Sequence, residues 1–257
     1  MVYTIRKRML LFDAHIHVGQ FKVQYESPKE LVEYLSSVGV SRFAVSSTTT
    51  CEENYAKVIK EHQKLKVLAG DSVIPVLWLT IDSLHNGGVN SFLKSGIDWK
   101  CVKIHPALSP KRWSIDTENM DMAIAIAKDL QVPFLIHTGE TLGCNPLNFE
   151  KSIKKHHDVP FILAHGRPIG QTIEMMKKYP NVWCDTAFMP TENIVNLCKE
   201  NLQERVLWGS DYPIPKYYYP QEDMKAYYLG LVQQLRNTVD NEDFERITHK
   251  NFERLFG

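Results

Sequence analysis

Apolar residues along this chain fall into short, mostly unbroken runs separated by amphipathic stretches. The runs lie at about 10–17, 42–48, 73–80, 101–105, 133–138, 161–165, 182–187 and 206–210. Continuous rather than alternating runs of this length predict parallel strands covered on both faces. Helical signals fill the gaps. SPKELVEYLSSVG offers Ser27 as an N-cap, Pro28 at the first helical position and Gly39 as a stop. CEENYAKVIKEHQKL, TENMDMAIAIAKDL, NFEKSIKKHH, QTIEMMKKY and TENIVNLCKEN predict later helices, and the gap between the third and fourth strands is interrupted by Gly87, Gly88 and Gly96. The segments QEDMKAYYLGLVQQLRN and NEDFERITHKNFERLFG predict two C-terminal helices. Eight strands alternating with helices in 257 residues predict an α/β fold, a (β/α)8 TIM barrel that forms a single domain over residues 1–257. The alternative, a doubly wound open sheet, usually carries a Gly-rich phosphate loop after its first strand. Here that strand ends in HIHVG.

The side chains at the downstream ends of these runs carry the candidate chemistry. His15 and His17 end the first strand, Lys103 and His105 the fourth, His137 the fifth, His165 the sixth, Asp185 the seventh and Asp211 the eighth. Alternation along a strand puts Asp13, His15 and His17 on one face. Two imidazoles two residues apart can ligate one ion, and neutral imidazole suits zinc and its divalent neighbours. Asp13, deeper on that face, is expected to orient a ligand histidine. A closed barrel makes its first and eighth strands neighbours, bringing Asp211 beside His15 and His17, with His137 reaching the same mouth from across the lumen. Such strand histidines could alternatively be satisfied by hydrogen bonds within the core.

In this order and at these strand ends, DAHIH, VKIHP, LIHTG, ILAHG and GSDYP resemble the amidohydrolase superfamily, and most closely its amidohydrolase-2 group of small metal-dependent hydrolases and decarboxylases. The closing HKNFERLFG is similar to that group's last helix, so the resemblance spans about residues 11–257. It implies one divalent metal ion, zinc first and manganese or another divalent ion as alternatives, held by His15, His17, His137 and Asp211. It also implies that Asp211 acts as general base on a metal-activated water while His165 polarises the substrate. A bound divalent ion lowers the pKa of its water from about 15.7 to about 7, which gives that mechanism its physical basis. In binuclear relatives a carbamylated lysine on the fourth strand bridges two ions, a role open to Lys103. The K-I-H-P form matches the mononuclear strand instead, and leaves Lys103 and His105 to contact substrate or support the ligands.

Arg167, directly beyond His165, can clamp a carboxylate in a bidentate pair, which makes a small anionic substrate the expected partner. Arg112, Trp113, Glu140 and Cys144 lie on loops at the same mouth. Tyr217, Tyr218 and Tyr219 could wall the pocket or form the interface of a homodimer. His62, His85, His156, His157 and His249 fall on helix or loop segments and are expected at the surface.

Composition narrows the function. Thirty basic and thirty acidic residues cancel, which disfavours a nucleic-acid surface. Without an 18-residue apolar run or a signal-like N-terminus, a cytoplasmic chain with no membrane partner is expected. Five scattered cysteines without C-x-x-C predict free thiols. The leading expectation is hydrolysis of a small amide, ester or lactone. Non-oxidative decarboxylation of a small unsaturated or aromatic acid is the close alternative. A TatD-like phosphodiesterase would usually place a glutamate on the fourth strand, and a non-catalytic metal-binding barrel would not need the motifs intact.

Overall fold

The computed structural model describes residues 10–108, 113, 118–141 and 143–257. Its strands are β1 (Phe12–Phe21), β2 (Gln24–Glu26), β3 (Arg42–Ser47), β4 (Val73–Leu79), β5 (Cys101–Ile104), β6 (Phe134–His137), β7 (Phe161–Ala164), β8 (Val182–Asp185) and β9 (Val206–Leu207). The sheet order is β2-β1-β3-β4-β5-β6-β7-β8-β9. All neighbours are parallel except the β1–β2 hairpin. The stretch after β9 returns to β1 through Ala14 N to Trp208 O (2.8 Å), Asp211 N to His15 O (2.8 Å) and His17 N to Tyr212 O (2.7 Å). The eight parallel strands thus close into the expected barrel.

Helices cover the outside, with α1 (Pro28–Ser37), α2 (Tyr55–Ala69), α3 (Ile81–His85), α4 (Gly88–Leu93), α5 (Glu118–Leu130), α6 (Glu150–Lys155) and α7 (Ile169–Lys178) before β8. They are followed by α8 (Thr191–Lys199), α9 (Ile214–Tyr218), α10 (Met224–Thr238), α11 (Asn241–Glu245) and α12 (Asn251–Phe256). Ser27 caps α1 as its sequence predicts, and the structure adds a capping box with Glu30. Among the described residues, no helix is long and apolar enough to cross a membrane. All five cysteines are free.

Side-chain alternation divides the core in two. Cys101, Leu135, Ile162, Trp183 and Leu207 fill the lumen with Phe12, Ala14 and Phe252. Val102, Ile136, Leu163, Cys184 and Val206 pack outward against the helices. The polar strand-end residues Lys103, His137 and Asp185 continue the lumen-facing rows one step above this apolar plug.

β1 departs from simple alternation. Its register against β3 slips by one residue between Asp13 and Ile16. This bulge lets Ala14 and His15 both serve the lumen, while Ile16 and Val18 join the outer core. Asp13 is thereby turned outward, where its Oδ2 accepts a 2.9 Å bond from the Tyr228 hydroxyl of α10. The expected common face of Asp13, His15 and His17 is corrected accordingly. His62 is a second correction, since it is buried on α2 against Trp99 rather than exposed.

Candidate active site

The site forms at the carboxyl ends of the strands, above the apolar plug. His15, His17, Lys103, His165, Asp185 and Asp211 are all buried there. His15 Nδ1 donates to Asp185 Oδ2 at 2.9 Å. The other oxygen of Asp185 accepts from His165 N (2.9 Å) and Ala187 N (3.0 Å). Asp185, not Asp13, is therefore the carboxylate that orients His15. Asp13 instead accepts from the backbone nitrogens of His15 and Ser210, each at 3.1 Å, and so braces the two strands that carry the site. Burial pushes the Asp13 carboxyl up to about 7.

His17 Nδ1 faces the Ser46 carbonyl (3.4 Å) and hydroxyl (3.0 Å). Burial, reinforced by the nearby Lys103 charge, holds His15 and His17 well below the usual imidazole range. Both rings are therefore neutral at neutral pH. Their Nδ1 protons are engaged, leaving an Nε2 lone pair on each ring. These two nitrogens and a carboxylate oxygen of Asp211 all lie within 4.8 Å of one another. Asp211 Oδ1 is 2.9 Å from His17 Nε2 and 3.4 Å from His15 Nε2. It is buried and has no hydrogen-bond donor among the described residues. Two imidazole lone pairs and a buried carboxylate oxygen converging without a donor for the latter fit a divalent cation. A second grouping of His15, His165 and Asp185 is also close enough to hold an ion. In that group Asp185 is already committed to three N–H donors.

Local backbone positions these groups. Asp211 (φ 59°) and His165 (φ 68°) both leave their strands in the left-handed region, an uncommon conformation for residues other than glycine. Asp211 is fixed there by its 2.8 Å bond to the His15 carbonyl. Gly209 has to be glycine because a Cβ would stand 2.9 Å from the His15 Cβ.

His137 and His105 stand to one side. Their rings stack at 3.6 Å, and His105 in turn lies nearly parallel to Trp78 at 5.9 Å. His105 Nδ1 accepts the Leu108 amide at 3.0 Å, which ties this ring into the turn after β5. His165 Nδ1 donates to the Ala187 carbonyl at 3.0 Å, and His165 Nε2 is 3.0 Å from His137 Nδ1. Because the carbonyl takes the His165 Nδ1 proton, the proton shared between the rings belongs to His137 Nδ1. The lone pair of His137 is then on Nε2. Burial holds His165 down to about 4. His137 belongs to neither of the close groupings around His15.

Lys103 reaches the centre from β5, with Nζ 3.0 Å from His15 Nε2 and 3.3 Å from His17 Nε2. Burial lowers its ammonium to about 8, opposed by the negative charges of Asp211 and Asp185. A cavity of about 510 Å³ opens above these groups, and Arg167, Phe188, Tyr218 and Tyr219 line it. Arg167 Nε is buried without a partner among the described residues. Tyr217 lies over the β1–β2 hairpin, against Phe21 and Lys22. Trp113 and Cys144 are buried, Glu140 is exposed, and Arg112 lies outside the described residues. The sequence reading underrated Asp185. The available signal was its place at the end of VWCD, on the same parity as the other strand-end groups.

A family model described as Amidohydrolase matches residues 13–257. An uncharacterized TIM-barrel protein from Bordetella bronchiseptica superposes with a TM-score of 0.70 at 16% identity, covering 96% of this chain and 98% of its own. A probable 2-pyrone-4,6-dicarboxylic acid hydrolase from Acinetobacter baumannii gives 0.69 at 12% identity, over 97% of this chain and 100% of that one. The 5-carboxyvanillate decarboxylase of Sphingomonas paucimobilis gives 0.67 at 10% identity, over 96% and 98%. At these identities the likeness is one of fold. No curated protein matches the chain by sequence.

Proposed function

The chain belongs to the amidohydrolase family, and on that premise we propose that it is a metal-dependent hydrolase of a small-molecule amide, ester or lactone. The observation that carries the reading is the convergence of His15 Nε2, His17 Nε2 and an Asp211 Oδ1 that has no donor among the described residues. We assign these three as ligands of one divalent ion, zinc for preference, with His137 contributing its Nε2 as the fourth. When bound, that ion would bring the pKa of a water near neutrality and polarise a carbonyl.

The remaining work falls to the chain. Asp211 presents a carboxylate at the cavity floor, where it takes the proton of the attacking water and returns it to the leaving group. His165 polarises the substrate by giving up its bond to His137 and carrying a proton on Nε2. Arg167, whose Nε on the cavity wall has no partner among the described residues, binds a substrate carboxylate. Lys103 contributes positive charge to the site, and His105 keeps the His137 ring in place by stacking.

The flat wall formed by Trp78, His105 and His137 beside Arg167 favours a planar acid. That supports decarboxylation of a small unsaturated or aromatic acid as the second reading. Carbon dioxide release measured against acid or amine release separates the two reactions. For the leading reading, elemental analysis of the purified protein should find about one divalent ion per chain. Asp211→Asn that retains its ion should lose turnover by about a hundredfold or more. Full activity with the ion in place would refute water activation by Asp211.

A further inference from the structure

We propose that the Lys103 ammonium and the metal ion are competitors for the same two nitrogen lone pairs, so that loading the site displaces Lys103 into the cavity. This rests on the metal reading above. An imidazole nitrogen has a single in-plane lone pair. Those on Nδ1 of His15 and His17 are not available, because these atoms face Asp185 (2.9 Å) and Ser46 (3.0 and 3.4 Å) and point away from the centre. The lone pairs on Nε2 are the ones aimed at Asp211, and the same two face Lys103 Nζ at 3.0 and 3.3 Å. Neither nitrogen can accept an ammonium hydrogen and bind an ion at once. A monovalent and a divalent cation would also repel strongly at this separation in a buried site.

Lys103 is well held where it is. Its side chain is 1% exposed, and its Nζ lies 4.6 Å from the centre of the Trp78 ring, within cation–π range. The cavity above offers the place to go, since Lys103 and Trp78 both line it. Displacement would turn the ammonium towards the space where Arg167 stands. Loading would then add positive charge to the substrate cavity.

The test is zinc affinity by chelator competition on the full-length protein, for wild type, Lys103→Met and Lys103→Gln. Removing the competitor should tighten zinc binding by about tenfold or more in both variants, at an unchanged stoichiometry of about one ion per chain. The metal-free variants should also melt below the metal-free wild type, because the two lone pairs lose the ammonium that faces them and Asp211 loses its nearby positive charge. Equal or weaker zinc binding in the variants overturns the proposal and makes Lys103 a supporting group. Loss of a second ion overturns it in favour of a bridging lysine. If neither variant folds, a crystal structure of zinc-loaded wild type decides. Lys103 Nζ beyond hydrogen-bond reach of both Nε2 atoms supports displacement, and Nζ still on them refutes it. Failure of wild type to bind any divalent ion would instead sink the metal reading, and this inference with it.

Discussion

Replacing Asp185 with Asn should turn the Nε2 of His15, the proposed ligand atom, into a hydrogen-bond donor. Oδ1 of Asp185 accepts two backbone N–H groups, from His165 (2.9 Å) and Ala187 (3.0 Å). In the variant the amide oxygen has to take that position, because an NH2 group there would face two donors. The NH2 group is then directed at His15 Nδ1, which sits 2.9 Å from Oδ2 in the native protein. That nitrogen can accept only after losing its proton to Nε2, the atom aimed at Asp211 and Lys103. Loss of such an orienting carboxylate typically costs 10–100-fold in metal affinity, or about 1.4–2.8 kcal/mol. Chelator competition with a fluorescent zinc indicator measures the change, with far-ultraviolet circular dichroism confirming the fold. Asp185→Ala provides the contrast. It frees the His15 tautomer instead of inverting it, and should lose less affinity than Asp185→Asn. Zinc affinity in folded Asp185→Asn within about twofold of wild type would refute the assignment of Nε2 as the ligand atom.

Three further outcomes follow from the packing. Burial holds His62 at about 3, below its usual 6.5. Between those values the unfolded chain binds a proton that the folded chain refuses, so stability falls as pH drops through this window, with His62 alone contributing about 2 kcal/mol of the loss at pH 5 relative to pH 8. Urea unfolding at both pH values should show that loss to be correspondingly smaller in His62→Leu, and an identical loss in the two proteins would contradict it. Gly209→Ala forces a methyl to 2.9 Å from the His15 Cβ; about tenfold weaker zinc binding is expected by the same competition assay, and undiminished affinity would mean that the strands yield. Tyr228→Phe strips a donor from Asp13 and an acceptor from the Trp208 indole. It should lower unfolding free energy by about 1–3 kcal/mol, and a neutral result in chemical denaturation would argue against Asp13 as a brace.

Much of the architecture was legible because continuous apolar runs have few ways to be buried. The predicted strands at 42–48, 73–80, 101–105, 133–138, 161–165 and 182–187 enclose β3 to β8. The missing pieces have local causes. β2 was not legible because Gln24 and Tyr25 are exposed and only Glu26 is buried, so the hairpin leaves no apolar run. The last strand shrinks to Val206–Leu207 because Trp208 N turns to the Ile247 carbonyl, while its own carbonyl bonds β1. A period-two reading of DAHIH cannot reveal a bulge, since the slip exists only relative to β3. It therefore gave Asp13 the orienting role that Asp185 holds. His62 was misplaced because its neighbours Glu61 and Gln63 are polar; Glu61 is itself buried, satisfied by Ser47 and Thr49.

The bond from the Asp211 amide to the His15 carbonyl belongs to the seam where the first and last barrel strands meet. The two proposed ligands are therefore 196 positions apart in sequence but adjacent rungs of one ladder. An ion held by both would rivet that seam shut, and its binding energy would resist separation of the two ends of the barrel. Amide hydrogen exchange at His17 and Asp211 should then slow on loading far more than exchange on the opposite wall, at β5 and β6. In that sense the ion would serve as the last fastening of the fold as well as the site of its chemistry.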